Sequence, residues 1–253
     1  IGGKDLLNGK RFDKGGYILT YDYDKWSFID PKEAQKKLNL PRNPRDYTSI
    51  AVTTDDSNDE IVYASSMGDG VIQYKNGTPV QSYNEKNAFK ETAGGYGSGY
   101  CYIDGLAFDK NGNLWMTSSE VNHAVLVLDK AGAWHRLDIE QLRGVYTIND
   151  ILITSTNDKW IYVPRNTPKL VMIPNSESLD EVSSYEFTTL IDTDGKELTP
   201  SNYTCVAEDK DGYIWVGTNR GAVYFTKPRI SSAEDKAATR CTRVKYTNEE
   251  TGN

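Results

Sequence analysis

The sequence predicts an all-β fold, a β-propeller of antiparallel four-stranded blades, on three observations. The stretch LAFDKNGNLWMTSSEVNHAVLVL (Leu106–Leu128) returns, nearly copied, as VAEDKDGYIWVGTNRGAVYF (Val206–Phe225). Each copy holds three short apolar runs, and an Asp-Lys-(Asn/Asp)-Gly turn joins the first two, which is the mark of a β-hairpin. Trp115 and Trp215 stand at the same place, three residues after Gly112 and Gly212, and Trp160 occupies an equivalent run between them. Meanders recurring every ~40–50 residues are the pattern of propeller blades.

In chain order, GGYILTYDYDKWSFID (Gly15–Asp30) reads as a hairpin, with strands at Tyr17–Tyr21 and Trp26–Ile29. PKEAQKKLNL (Pro31–Leu40) allows a short surface helix with proline at its start, ended by Pro41 and Pro44. These residues, 1–46, make a partial blade and linker. The first complete blade spans 47–101: strands at Ser49–Thr53, Ile61–Ser65, Gly70–Tyr74 and Val80–Tyr83, with a hairpin turn at Asn76-Gly77. It runs into a Gly-rich loop, AGGYGSGY (Ala93–Tyr100), which has the spacing of neither a phosphate loop nor a nucleophile elbow. The second blade covers 102–145, with Trp134–Leu137 outermost. The third covers 146–202: strands at Ile148–Ile153, Lys159–Val163 and Lys169–Ile173, then a long polar connection to Tyr185–Leu190. The fourth, 203–253, closes with Thr242–Tyr246 after a charged insertion at Arg229–Lys236. Four blades and a partial one point to a portion of a larger propeller, taken as a single domain.

Composition limits what this fold can serve. A net charge of −7 argues against a phosphate-backbone partner or an anionic membrane surface. No run reaches transmembrane length, and IGGKDLLNGK at the front lacks the apolar core of a signal peptide, so a cytoplasmic or a processed protein is expected from the residues alone. Cys101, Cys205 and Cys241 are too few and too oddly spaced for a zinc site or a disulfide framework, and read as small residues packed in strands.

The pattern Asp-x-x-Gly-x-(Leu/Ile)-Trp-x-Gly-Thr-x-x-Gly, best kept in DKDGYIWVGTNRG (Asp209–Gly221), resembles the two-component-regulator propeller repeat of Bacteroidota. GDGVIQYKNG (Gly68–Gly77), NLWMTSS (Asn113–Ser119), NDILITS (Asn149–Ser155) and CTRVK (Cys241–Lys245) are similar to stretches of PorZ-type surface proteins of the type IX secretion system. The third blade departs from the repeat in lacking the Asp-x-x-Gly turn, and the first has Tyr63 where the others have Trp. The resemblance implies an extracytoplasmic, non-enzymatic propeller serving type IX secretion and cargo attachment at the cell surface. The runner-up is the ligand-sensing extracellular part of a hybrid two-component system, and a propeller glycan lyase or hydrolase comes third.

No catalytic constellation, cofactor motif or metal spacing emerges. DKNGN (Asp109–Asn113) and DKDGY (Asp209–Tyr213) suggest a calcium loop, but Gly stands at the fourth position and Arg220 replaces the final glutamate in the second copy, so hairpin turns are expected. The two histidines, His123 and His135, read as exposed polar residues. Trp115, Trp160 and Trp215 read as inter-blade core. Ligand binding is assigned to loops on one face, where Met67, Asp69, Asn122, Asn166 and Asn219 also fall. The candidates are Arg165, Arg220, His123, Tyr96 and Tyr100, with a partner protein or an anionic glycan as ligand. Arg165 and Arg220 each follow a blade tryptophan by five residues, which predicts a shared rim.

Overall fold

A computed structural model describes residues 14–90, 93 and 99–244. It divides into two compact units, one holding the residues up to 151 together with 178–181, the other 152–177 and the residues from 182 onward.

The first unit opens with an isolated antiparallel hairpin, β1 (Ile18–Asp22) and β2 (Lys25–Ile29). Helix α1 (Pro31–Leu38) follows. Asp30 caps it by accepting the Lys32 N–H at 2.9 Å, Pro31 sits in the first turn where no donor is needed, and Asn39 ends it in the left-handed conformation. Next come β3 (Tyr47–Thr54), β4 (Glu60–Gly68), β5 (Gly70–Lys75) and β6 (Thr78–Tyr83), an antiparallel meander. Its last turn, Asn76-Gly77, takes positive φ at both residues (47° and 74°), as a two-residue hairpin requires. A second meander comprises β7 (Cys101–Phe108), β8 (Leu114–Ser118), β9 (Val125–Leu128) and β10 (Trp134–Leu137). A short β4–β7 pairing, Met67 opposite Tyr102, joins the two.

Two more meanders follow. The third is β11 (Ile151–Ile153), β12 (Lys159–Val163), β13 (Lys169–Ile173) and β14 (Tyr185–Phe187). A small hairpin, β15 (Leu190–Ile191) with β16 (Glu197–Leu198), interrupts the path to the fourth. That one is β17 (Tyr203–Glu208), β18 (Tyr213–Thr218), β19 (Gly221–Thr226) and β20 (Thr242–Arg243), with helix α2 (Ala233–Ala238) between β19 and β20.

The four antiparallel meanders agree with the predicted fold, with local corrections. β11 is shorter than the predicted run from Ile148, and the polar connection after the third blade contains the β15–β16 hairpin. The charged insertion near Arg229 holds α2, and the predicted strand beyond Thr242 runs partly outside the described residues.

Sheets stack face to face because alternate residues of a strand point to opposite faces. Ile18, with Ile29 beside it, packs on Val62, Ala64, Ile72 and Tyr74 of the first blade. That blade's other face, with Ile61 and Tyr63, packs on Leu106, Leu114 and Met116 of the second. In the second unit, Trp160, Leu170 and Met172 of the third blade meet Ile214, Val216, Val223 and Phe225 of the fourth. Trp115 and Trp160 are each 1% exposed. Trp215, expected to be equally buried, is only half-buried, its ring resting 4.9 Å from Tyr224.

Candidate functional site

One loop is built six times among the described residues. At Asp55–Asp59, Asp109–Asn113, Asp129–Ala133, Thr154–Asp158, Asp192–Lys196 and Asp209–Tyr213, the first backbone N–H donates to the fifth carbonyl at 2.9–3.0 Å. The fourth residue is left-handed each time: Asn58, Gly112, Gly132, Asn157, Gly195 and Gly212, with φ between 62° and 90°. Glycine or asparagine stands there because either adopts this backbone at little cost.

The first side chain organises the loop. Asp109 Oδ1 accepts the N–H groups of Asn111 and Asn113, each at 2.9 Å, and Asp209 Oδ1 those of Asp211 and Tyr213 at the same distance. Asp55 and Asp192 repeat the arrangement, and Thr154 Oγ1 accepts the Asp158 N–H in their place. What varies is the donor to the second oxygen. It is the Trp115 indole N–H with the Asn113 amide for Asp109 (2.9 Å each), the Trp215 indole N–H for Asp209 (2.7 Å), Lys75 for Asp55 (2.7 Å) and His135 for Asp129 (3.0 Å), while Asp192 meets Arg243 in an ion pair at 2.7 Å. Hydrogen bonds to the ionised form favour it. The Trp215 indole, with the backbone N–H of Tyr213, therefore holds Asp209 below the usual carboxylate range, while Lys75 does so for Asp55 and His135 for Asp129. These carboxylates are internal acceptors, which accounts for the hairpins without a cation.

His135, expected to be an exposed polar residue, is half-buried and bridges two carboxylates. Its Nε2 lies 3.0 Å from Asp129 and its Nδ1 3.0 Å from Asp180. Neutral imidazole has one N–H and carboxylates only accept, so both bonds form only with the imidazolium. The two carboxylates, Asp129 first, raise its pKa.

The predicted ligand residues divide between the units. In the second, Tyr203 N–H donates to Pro164 O at 3.0 Å and Asn219 N–H to Asn202 O at 3.1 Å. Arg165 follows Pro164 and Arg220 follows Asn219, so this backbone path puts both arginines at the same end of their sheets. Asn219 Oδ1 also accepts the Ser201 and Asn202 N–H groups at 2.9 and 3.1 Å, and Thr218 Oγ1 accepts the Arg220 N–H at 3.0 Å, which fixes the loop. Arg220 is exposed and Arg165 half-buried.

The first unit holds His123, half-buried, and Tyr100. Tyr100 departs from the reading as a loop aromatic open to ligand: it is 8% exposed and packs edge-on against Tyr102, in a cluster with Met67 and Ala93. Met67 is likewise interior. Asp69 is engaged by Arg42 at 2.7 Å and by the Arg45 N–H at 3.0 Å. Tyr96 lies outside the described residues. Cys205, expected to be packed, is exposed, while Cys101 and Cys241 are buried and burial pushes the Cys101 thiol up to about 12.

Sequence reasoning missed a groove of about 320 Å³ in the second unit, lined by Ser155, Trp160, Glu208, Lys210, Lys227 and Arg229 among others. Its wall is tied by Ser155, whose N–H and hydroxyl each donate to Glu208 at 2.6 Å. It lies at the hairpin-turn end of β12 and β18, opposite the end carrying Arg165 and Arg220. Its cations are balanced by Asp158, Glu208 and Asp211, so its charge favours no ligand class.

The two component regulator propeller family matches residues 197–220, which include the Asp209 loop, Trp215 and Arg220. No curated protein sequence matches the chain. Among solved structures, the chain is similar to PorZ of Porphyromonas gingivalis, described as an essential bacterial surface component of the type-IX secretion system. The TM-score is 0.76 at 20% identity, over 91% of this chain and 31% of PorZ. It is also similar to the extracellular domains of two putative hybrid two component systems of B. thetaiotaomicron. BT3049 gives a TM-score of 0.53 at 18% identity over 88% of this chain, BT4673 0.54 at 16% over 85%, and the match spans 26% of each. The chain therefore spans less than a third of each of these proteins. It carries the regulator propeller repeat and has their propeller fold. Among the described residues, no helix is long and apolar enough to cross a membrane.

Proposed function

We propose that this chain is part of an extracytoplasmic, non-catalytic propeller that binds a partner protein or an anionic surface glycan through the loop end bearing Arg165 and Arg220. The observation that carries the reading is the backbone path from Pro164 through Tyr203 and Asn202 to Asn219, which brings the two arginines to one end. Guanidinium groups bind carboxylate and phosphate in bidentate fashion, and they are conspicuous in a protein of net charge −7. Similarity to PorZ supports a place at the cell surface in type IX secretion.

A direct test is binding of the Arg165→Ala/Arg220→Ala variant to a panel of uronate, sulfated and phosphorylated polysaccharides. Binding should weaken, most at low salt, where screening is least. Parental binding by the double variant would remove the site.

The regulator-family match and the likeness to BT3049 and BT4673 favour a second reading, the sensing part of a hybrid two-component system. Flanking sequence separates the two. A membrane-spanning helix with a kinase supports sensing, whereas a second propeller with a sorting domain supports the surface role.

A further inference from the structure

The second blade carries a cation that its surroundings leave without a counter-charge. Arg136 of β10 stands opposite Leu126 of β9, and Ile103 of β7 stands opposite Ser118 of β8. Alternate residues of a strand share a face, so Arg136 lies on the face of Trp134, which packs in the apolar core with Leu126, Met116 and Ile103. The connection after β6 covers this row. Its backbone is fixed by the Ala88 and Phe89 N–H groups, which donate to Asn84 O at 2.9 and 3.0 Å. Phe89 packs edge-on against Trp134, with ring centres 5.5 Å apart. Here lies a cavity of about 10 Å³, walled by Phe89, Ile103 and Leu126 on its apolar side and by Lys90, His123 and Arg136 on its polar side.

Among the described residues, the Arg136 guanidinium donates only to Ala88 O, and its buried Nε has no acceptor. A charge withdrawn from water needs an opposite charge and full hydrogen bonding, and one carbonyl supplies neither. No carboxylate among the described residues lines the cavity. Asp138, the acid near His123, is taken up by Arg143, whose Nε and Nη2 reach its two oxygens at 2.7 and 2.5 Å. Glu85 and Asp69, the acids near Cys101, line a different cavity with Arg42 and Lys86. Cys101, which also lines the cavity, is neutral, because burial pushes its thiol up to about 12. Two cations and a histidine therefore meet at an apolar wall in a protein of net charge −7.

We propose that this cavity binds a compact monoanion, with Arg136 Nε as its central donor and Lys90 and His123 at its rim. Lys90 is exposed and His123 half-buried, as rim residues should be. The volume admits one water-sized group, so the seat takes a halide ion or a single oxygen of a small carboxylate, and excludes a whole phosphate or sugar ring. Bound there, the anion completes the hydrogen bonding of Arg136 and ties β10 to the connection at Ala88. The site is independent of Arg165 and Arg220, which belong to the other unit.

Chloride NMR tests it, because an ion exchanging on and off a protein broadens the chloride line. The parent should broaden the line saturably, with formate as competitor. Displacement at formate concentrations below that of chloride assigns the seat to carboxylates, and displacement only above it, or none, assigns it to halides. Arg136→Gln should weaken chloride binding at least about tenfold, the loss expected with a charge-assisted hydrogen bond. Should that variant fold poorly, Lys90→Glu puts a negative charge at the rim through an exposed residue and should weaken binding too. Arg165→Ala/Arg220→Ala should broaden the line as the parent does. The proposal is overturned if the parent gives no saturable broadening, or if the broadening survives Lys90→Glu and a folded Arg136→Gln. Loss of the broadening in Arg165→Ala/Arg220→Ala would overturn it as well, by placing the ion in the other unit.

Discussion

Trp160 of the third blade and Trp215 of the fourth stand at the same position on equivalent strands, and their surroundings are opposite. Trp160 is buried against the Ile214 and Val216 face of the next blade, but Thr154 begins its hairpin loop, where the other loops place the aspartate that receives the indole. Trp215 has the Asp209 carboxylate at 2.7 Å and remains half-buried, sharing its face with Tyr213 and Tyr224. The indole–carboxylate bond is therefore set within the repeat, by a tryptophan six residues after the aspartate. Burial of Trp160 is set by the fourth blade packed on it. The second blade has both, with Trp115 buried and bonded to Asp109.

The largest effects should come from removing the rings. Trp160→Ala is expected to cost about 3–5 kcal/mol, as for other buried large-to-small replacements. Trp215→Ala should cost less than half as much, and denaturant unfolding of the two variants measures the difference. Equal losses would mean that the next blade contributes little. Removing the carboxylates sharpens the comparison from the other side. Asp109→Ala leaves buried N–H donors and an indole without an acceptor, a loss of about 2–3 kcal/mol. Asp209→Ala opens the same bonds to water and should lower Tm by a smaller amount.

Much of this was legible before the structure. An Asp-Lys-x-Gly turn followed by Trp identifies a hairpin because its hydrogen bonds all fall within seven residues. The DTDG loop at Asp192 escaped notice because its flanking strands, β15 and β16, have two residues each and show no alternation. Helix α2 had a readable signal in Ser232 and Asp235, where Ser232 Oγ accepts the Asp235 N–H at 3.1 Å. The exposure of Trp215 and Cys205 and the burial of Tyr100 were not readable, since each depends on packing partners distant in sequence. Arg165 and Arg220 could be placed by their equal offset from tryptophan, whereas the role of His135 needed Asp180, 45 residues away.

A subtler effect concerns pH. The folded-state pKa of His135 is raised by Asp129 and Asp180, so its contribution is fully present below an unfolded value of ~6.5 and is lost as pH rises through the folded value. Asp129, whose pKa is lowered, stays ionised across that window. The Tm advantage of the parent over His135→Gln should therefore shrink from pH 6 to pH 9, and an advantage that grew with pH would contradict the bridge. The smallest expected effect is that of calcium. With the loop carboxylates occupied by N–H donors, neither calcium nor a chelator should move Tm, because a ligand stabilises only by binding the native state. A rise of several degrees with calcium would show that these loops open to a cation.

The proposed function assigns folding to the turn end of the blades and binding to the loop end. Its most direct test compares Asp209→Ala with Arg165→Ala/Arg220→Ala in one low-salt titration against the anionic polysaccharide that the parent binds best. Asp209→Ala should bind as the parent does despite its lower Tm, and the arginine variant should lose most of its affinity. Loss of binding in Asp209→Ala with parental affinity in the arginine variant would contradict that separation.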